Sequence, residues 1–235
     1  MDTRLTSGSK NFFELDNTGR QMLVASWQML AAHYGATAET TEKTLTDLLR
    51  HYDARGRCYH NSSHLAALLR WCERYQNELR EPAVVQFAIW FHDVIYRTRQ
   101  HDNEPRSADY ATTTLARLNT PLALIDDVAS LIRATQTHRL DAPEDALLER
   151  LHHDGGWFLD FDLAILGSRP DVYAAYAQAI RREYFWVPAF LFRKKRRAVL
   201  ENFLQRPQLF FTAIMRAELE AQARENLTNE LTELK

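Results

Sequence analysis

One stretch constrains the fold more than any other. Across residues 83–96, Val84, Val85, Phe87, Ala88, Ile89, Trp90, Phe91, Val94 and Ile95 cover every side of a helical wheel. A helix that is apolar all round has no face to offer water, so it belongs in the middle of a bundle with other helices packed about it. The rest of the chain supplies them. Met22, Leu23, Ser26, Trp27 and Leu30 form one stripe at helical spacing, Leu45, Leu48 and Leu49 a second within 40–52, and Leu65, Leu68, Leu69 and Cys72 a third within 59–75. Pro82 stands where the apolar helix would begin. Further helices are expected over 103–117, with Asn103 as cap, over 121–135, opened by Pro121, and as a short one over 158–166, ended by Gly167. The last three are expected over 171–184, 189–204 and 211–231. Seven glycines and seven prolines in 235 residues are too few to punctuate a β-rich chain, whereas 46% hydrophobic and 26% charged residues suit a chain that buries a core. The expected fold is all-α: a single compact multi-helix bundle over residues 1–235, of about ten helices.

A net charge of −2 supplies no global basic field to drive nucleic-acid binding. Cys58 and Cys72 are too few for a disulfide framework. Residues 1–6 carry no apolar leader, and the longest strongly apolar stretch, 83–91, is too short to span a bilayer. A cytoplasmic protein that does not enter the membrane is expected; a homodimer stays open.

Polar residues in apolar surroundings mark where chemistry could lie. His-Asp neighbours occur three times, as His92-Asp93, His101-Asp102 and His153-Asp154, against about 0.6 expected from composition. The second and third fall in polar contexts that read as solvated loops. The first closes the apolar run, where an ionised carboxylate costs several kcal/mol unless paired or bound to a cation. His60 and His64 are four apart and share a face if the helix has begun by His60, while His64, Leu68 and Cys72 turn His64 inward. Asp160 and Asp162 lie within the apolar 158–167 stretch, and at a spacing of two they cannot face the same way. Either can enter the core, with the other left as a cap or a charge near the helix start. Imidazoles and carboxylates from three separate segments suit a borderline or hard divalent cation better than a zinc-finger site.

In this order, His64, His92-Asp93 and Asp162 resemble the signature of the HD superfamily of metal-dependent phosphohydrolases. Tyr59-His60-Asn61-Ser62-Ser63-His64 is similar to the Tyr-His-Asn-x-x-His motif of cyclic-nucleotide phosphodiesterases, relatives of that superfamily. Ile89-Trp90-Phe91-His92-Asp93, Asn103-Glu104-Pro105-Arg106-Ser107-Ala108 and the segment 158–167 resemble recurring patterns of an uncharacterised bacterial group of HD phosphohydrolases. The resemblance runs over roughly residues 20–230. It implies an HD-type domain whose metal site is built from helices near 59–75, 83–97 and 157–167, with the C-terminal helices, 171–231, packed onto it. The implied metal ligands are His64, His92, Asp93 and Asp162, with Asp162 preferred to Asp160. His60 is implied as a proton donor that does not bind metal.

The activity this implies is hydrolysis of a phosphate ester, of a nucleotide or another small phosphorylated metabolite, with one or two divalent ions (Mn, Mg, Fe, Co, Ni or Zn) per chain. Glu104 would orient water or a second ion, or else only charge a helix start; Arg106 would hold a phosphate or remain a surface charge. His138 would join a second-metal site or stabilise a helix end. The run Arg193-Lys194-Lys195-Arg196-Arg197 reads as a solvated helix face. Two other functions stay open: a di-iron oxygenase on the same fold, and a non-catalytic binding protein stabilised by its metal.

Overall fold

The computed structural model describes residues 12–140 and 146–234; residues 1–6, which bear on a leader, lie outside them. Ten α-helices follow one another among the described residues: α1 (Asn17–His33), α2 (Ala38–Tyr52), α3 (Ser62–Arg74), α4 (Pro82–Phe91), α5 (Asn103–Arg117), α6 (Leu122–Ala134), α7 (Ala146–Leu163), α8 (Pro170–Glu183), α9 (Ala189–Gln205) and α10 (Ala213–Glu233). Two short 3₁₀ helices, Gln76–Glu78 and Ala164–Gly167, complete the set, and no strand occurs among these residues. No described helix is long and apolar enough to cross a membrane.

The apolar run becomes α4 and sits at the centre, as its composition requires. Val84, Val85, Phe87, Ala88, Ile89, Trp90 and Phe91 are all buried, and α3, α5, α6 and α7 pack around them. The Trp27 ring of α1 meets Trp90 edge-on, with centroids 5.2 Å apart. Both ends of α4 are finished by charges from elsewhere. At the start, the Asp154 carboxylate of α7 accepts the backbone N–H groups of Arg80 (2.9 Å) and Glu81 (2.7 Å), which a helix start leaves without partners. At the finish, the Arg57 guanidinium donates to the carbonyls of Asp93 (2.7 Å), Val94 (2.9 Å) and His60 (3.1 Å), closing the helix end and tying the α2–α3 loop to it.

Several boundaries differ from the sequence expectation. The third helix starts at Ser62, because Asn61 caps it by accepting Ser63 N–H at 2.9 Å. His60 therefore lies outside the helix and does not share a helical face with His64. In place of a short helix over 158–166, α7 runs for 18 residues from Ala146 and passes into the 3₁₀ helix. Gly155 and Gly156 hide that continuity, since glycine is a poor helix former. Both are places of close packing: an added Cβ would stand 3.1 Å from Leu131 Cδ2 at Gly155 and 3.2 Å from Phe211 Cβ at Gly156. His153-Asp154 is accordingly helical, and Asp154 is buried rather than solvated. His101-Asp102 is exposed, as expected. Asn103 lies inside the first turn of α5, where its side-chain amide bridges the N–H and carbonyl of Arg97 (3.0 and 3.1 Å). Pro121 precedes α6 as its cap residue.

The last helix, α10, closes over the 3₁₀ helix at Gly167, where a Cβ would stand 2.8 Å from the Leu219 carbonyl oxygen. Asn226 of α10 donates to the Leu166 and Ser168 carbonyls, each at 2.8 Å. In the basic run of α9, Arg193, Lys194 and Lys195 are exposed, whereas Arg196 turns inward to a two-pronged pair with Glu230 (2.7 and 2.8 Å).

Candidate metal centre

Four side chains converge beside the end of α4. His64 comes from the first turn of α3, His92 and Asp93 from the turn that ends α4, and Asp162 from the last turn of α7. Each imidazole Nε2 lies within 3.8 Å of both carboxylates. His64 is 3.3 Å from Asp162 Oδ1 and 3.8 Å from Asp93 Oδ2; His92 is 3.2 Å from Asp93 Oδ2 and 3.8 Å from Asp162 Oδ1. The two Nε2 atoms face each other at 3.3 Å. Both imidazoles are almost fully enclosed, at 1% side-chain exposure, while Asp93 and Asp162 keep 17% and 13% and so leave an opening to solvent. The donor atoms of His64, His92 and Asp93 lie within 4.8 Å of one another, a group able to hold a metal ion.

The donor chemistry fits a cation. His92 Nδ1–H donates to the Ile89 carbonyl at 2.9 Å, which assigns the proton of a neutral ring to Nδ1 and turns the Nε2 lone pair into the cluster. With His64 Nε2 and two carboxylates alongside it, that lone pair belongs to a group of atoms suited to a positive charge. Burial works against a charged His92, but Asp93 and Asp162 outweigh it and push its pKa up to about 9. Burial leaves His64 lowered. Despite burial, the neighbouring imidazoles hold Asp93 and Asp162 below the usual carboxylate range.

His60 stands at the edge of this cluster, its ring 5.8 Å from that of His64. A carboxylate that the sequence did not single out fixes it. Glu183, at the end of α8, has no exposed side-chain surface. Its Oε1 accepts the backbone N–H groups of Cys58, Tyr59 and His60 (2.8, 2.8 and 3.0 Å), and its Oε2 accepts His60 Nδ1–H (2.7 Å) and the Tyr96 hydroxyl (2.9 Å). Burial alone would raise the Glu183 pKa, but His60 and the backbone donors bring it down to about 2. His60 is raised in return, Glu183 and Asp93 overcoming the effect of burial. Tyr96 stacks on the His60 ring at 4.2 Å. A signal for Glu183 does exist in the sequence: it ends the stripe Tyr173, Tyr176, Ile180 at helical spacing.

The remaining candidates separate cleanly. Asp160 faces away from the cluster, fully buried, and accepts the N–H groups of Phe211 (2.6 Å) and Thr212 (2.8 Å) ahead of α10. His138 lies four residues past α6 and donates from Nε2 to Asp162 Oδ2 at 2.9 Å. Glu104 and Arg106 sit half-buried in the first turn of α5, and no side-chain hydrogen bond or ion pair joins either to the four converging residues.

Fold and site together define an all-helical domain of ten helices, among the described residues, with a buried His-His-Asp group. No family model, curated protein or solved structure matches the chain.

Proposed function

We propose that this chain is a metal-dependent phosphohydrolase of the HD type, cleaving a phosphate ester of a nucleotide or another small phosphorylated metabolite. One observation carries the reading: His64, His92, Asp93 and Asp162, which match the HD motif in order, bring each imidazole within 3.8 Å of both carboxylates. These four residues would hold the ion. When bound, a divalent ion there supplies Lewis acidity towards phosphoryl oxygens and a water of lowered pKa. His60 holds the proton that the leaving oxygen needs. Its Nδ1–H is committed to Glu183, which favours the imidazolium and leaves Nε2 to deliver the proton. Asp93 and Asp162 orient the imidazoles, and the burial of both rings keeps bulk water from them.

The test is elemental analysis of the purified protein together with a hydrolysis screen over nucleotides and generic phosphate esters, run with several divalent ions. Metal-dependent cleavage is expected, with both metal and activity lost in His92→Ala and Asp93→Ala. Full hydrolysis by Asp93→Ala, or no cleavage of any ester with any ion, would overturn the proposal. A second reading, a di-iron oxygenase, draws on the position of His138 at 2.9 Å from Asp162. Two irons per chain and oxygen consumption would favour it.

A further inference from the structure

Behind the turn that carries Asp93 lies a cavity of about 520 Å³, walled by the end of α2 and the loop after it, the loop 94–100 and the turn after α8. That volume is in the range of small-molecule sites. Its charge is one-sided. Arg55, Arg57, Arg97 and Arg99 line it against a single carboxylate, Glu183, whose oxygens are already taken by His60, Tyr96 and three backbone N–H groups. Arg57 is spent on backbone carbonyls. Arg55, Arg97 and Arg99 are exposed, and no ion pair ties any of them to a carboxylate among the described residues. Like charges gathered in a chain of net charge −2 mark a local device rather than a generally basic surface.

An aromatic platform completes the mouth. The Trp186 indole is pinned by donating to Thr98 Oγ1 at 2.9 Å, and the Arg99 guanidinium lies 4.9 Å from its ring centroid. Phe185 beside it is 77% exposed. Guanidinium groups match phosphate oxygens in a two-pronged geometry, and an indole offers a stacking face to a base.

We propose that this cavity is a nucleotide-binding site separate from the metal centre, with phosphates held by Arg55, Arg97 and Arg99 and the base stacked at Trp186. The assignment stands whether or not the metal centre hydrolyses esters. A volume of about 520 Å³ matches one nucleotide. The site is wired to the metal centre through the backbone. Its wall, the loop 94–100, continues directly from Asp93, and Arg57 ties Asp93 and Val94 to the His60 carbonyl. A nucleotide in the cavity therefore stiffens the segment that presents Asp93 and His60.

The experiment titrates ATP into the full chain stripped of metal with EDTA, following tryptophan fluorescence and binding heat. Saturable binding is expected, with inorganic phosphate a weak competitor and adenosine silent. Arg97→Gln and Arg99→Gln each weaken ATP by about tenfold. Trp186→Leu loses the fluorescence change. Circular dichroism checks the fold of each variant, and Arg55→Gln gives an independent arginine arm. The proposal is overturned by absence of ATP binding, by binding indifferent to all three arginine variants, or by an oligoribonucleotide that binds more tightly than ATP.

Discussion

The two oxygens of Asp162 are divided between two histidines: Oδ1 faces His64 Nε2 at 3.3 Å, while Oδ2 accepts His138 Nε2–H at 2.9 Å. One oxygen is thereby turned into the cluster and the other anchored. His138 is held for this task at φ 47°, in the left-handed region that non-glycine residues rarely adopt. Arg206 secures that conformation by donating to the carbonyls of Thr137 (3.1 Å) and His138 (3.0 Å).

Removing the anchor should loosen the carboxylate without unfolding the chain. His138→Ala is expected to weaken divalent-metal affinity by about tenfold to a hundredfold, the usual scale for a residue that orients a ligand. Equilibrium dialysis against Mn²⁺ measures it, and an unchanged dissociation constant would remove His138 from the site.

Asp160 and Asp162 differ in kind, and substitution should separate them. Asp160→Asn sets an amide NH2 against one of the two N–H groups that the buried carboxylate accepts and should cost about 1–3 kcal/mol of stability while metal content is kept. Asp162→Asn should lose metal with the fold intact. Urea unfolding and elemental analysis of both variants decide the matter, and metal loss confined to Asp160→Asn would exchange their roles.

The His60–Glu183 pair should reveal itself in turnover. His60→Ala is expected to keep metal and lose activity by about 10²- to 10⁴-fold. Glu183→Gln should move the pH profile instead. A proton donor works while protonated, so the rate falls as pH rises through its pKa. Without the Glu183 charge the His60 pKa drops, and the fall should begin at lower pH. A profile in the same place would show that Glu183 only holds the loop.

The same pair should govern acid stability. The Glu183 pKa is about 2 in the fold against 4.5 for an unperturbed glutamate. A lowered pKa gives stability that is fully present above the unfolded value and is lost as pH falls from there through the folded one. The difference corresponds to about 3 kcal/mol. Urea unfolding should therefore show Glu183→Gln well below the native chain at about pH 6, with the gap narrowing by about pH 3. A gap independent of pH would mean that the carboxylate charge contributes nothing.

What could be read from the chain beforehand follows a physical rule. His64, His92 and Asp93 were visible because such groups are costly in apolar helices, and α4 was visible because nothing about it suits water. The signal at Glu183 is masked by Arg181 and Arg182 before it, which make the end of α8 look like an ordinary charged terminus. Arg57 carries no sequence signal, because its partners are backbone carbonyls, which have no residue type to recognise. The motif marks His60, but the apolar pattern over 59–75 does not show that the cap at Asn61 holds the helix start back to Ser62. The length of α7 was hidden by Gly155 and Gly156, whose small size answers to neighbours distant in sequence.

The clasping of α4 by Asp154 at one end and Arg57 at the other has a mechanical consequence. A slip of the helix by one residue along its axis would swing His92 through about 100° and break the constellation. Locked against that slip, α4 keeps His92 and Asp93 in register with His64 and Asp162 through helix packing alone. Small zinc domains acquire their shape only on loading; here the packing around α4 does that work, so treatment with a chelator should leave the helical fold of the chain unchanged.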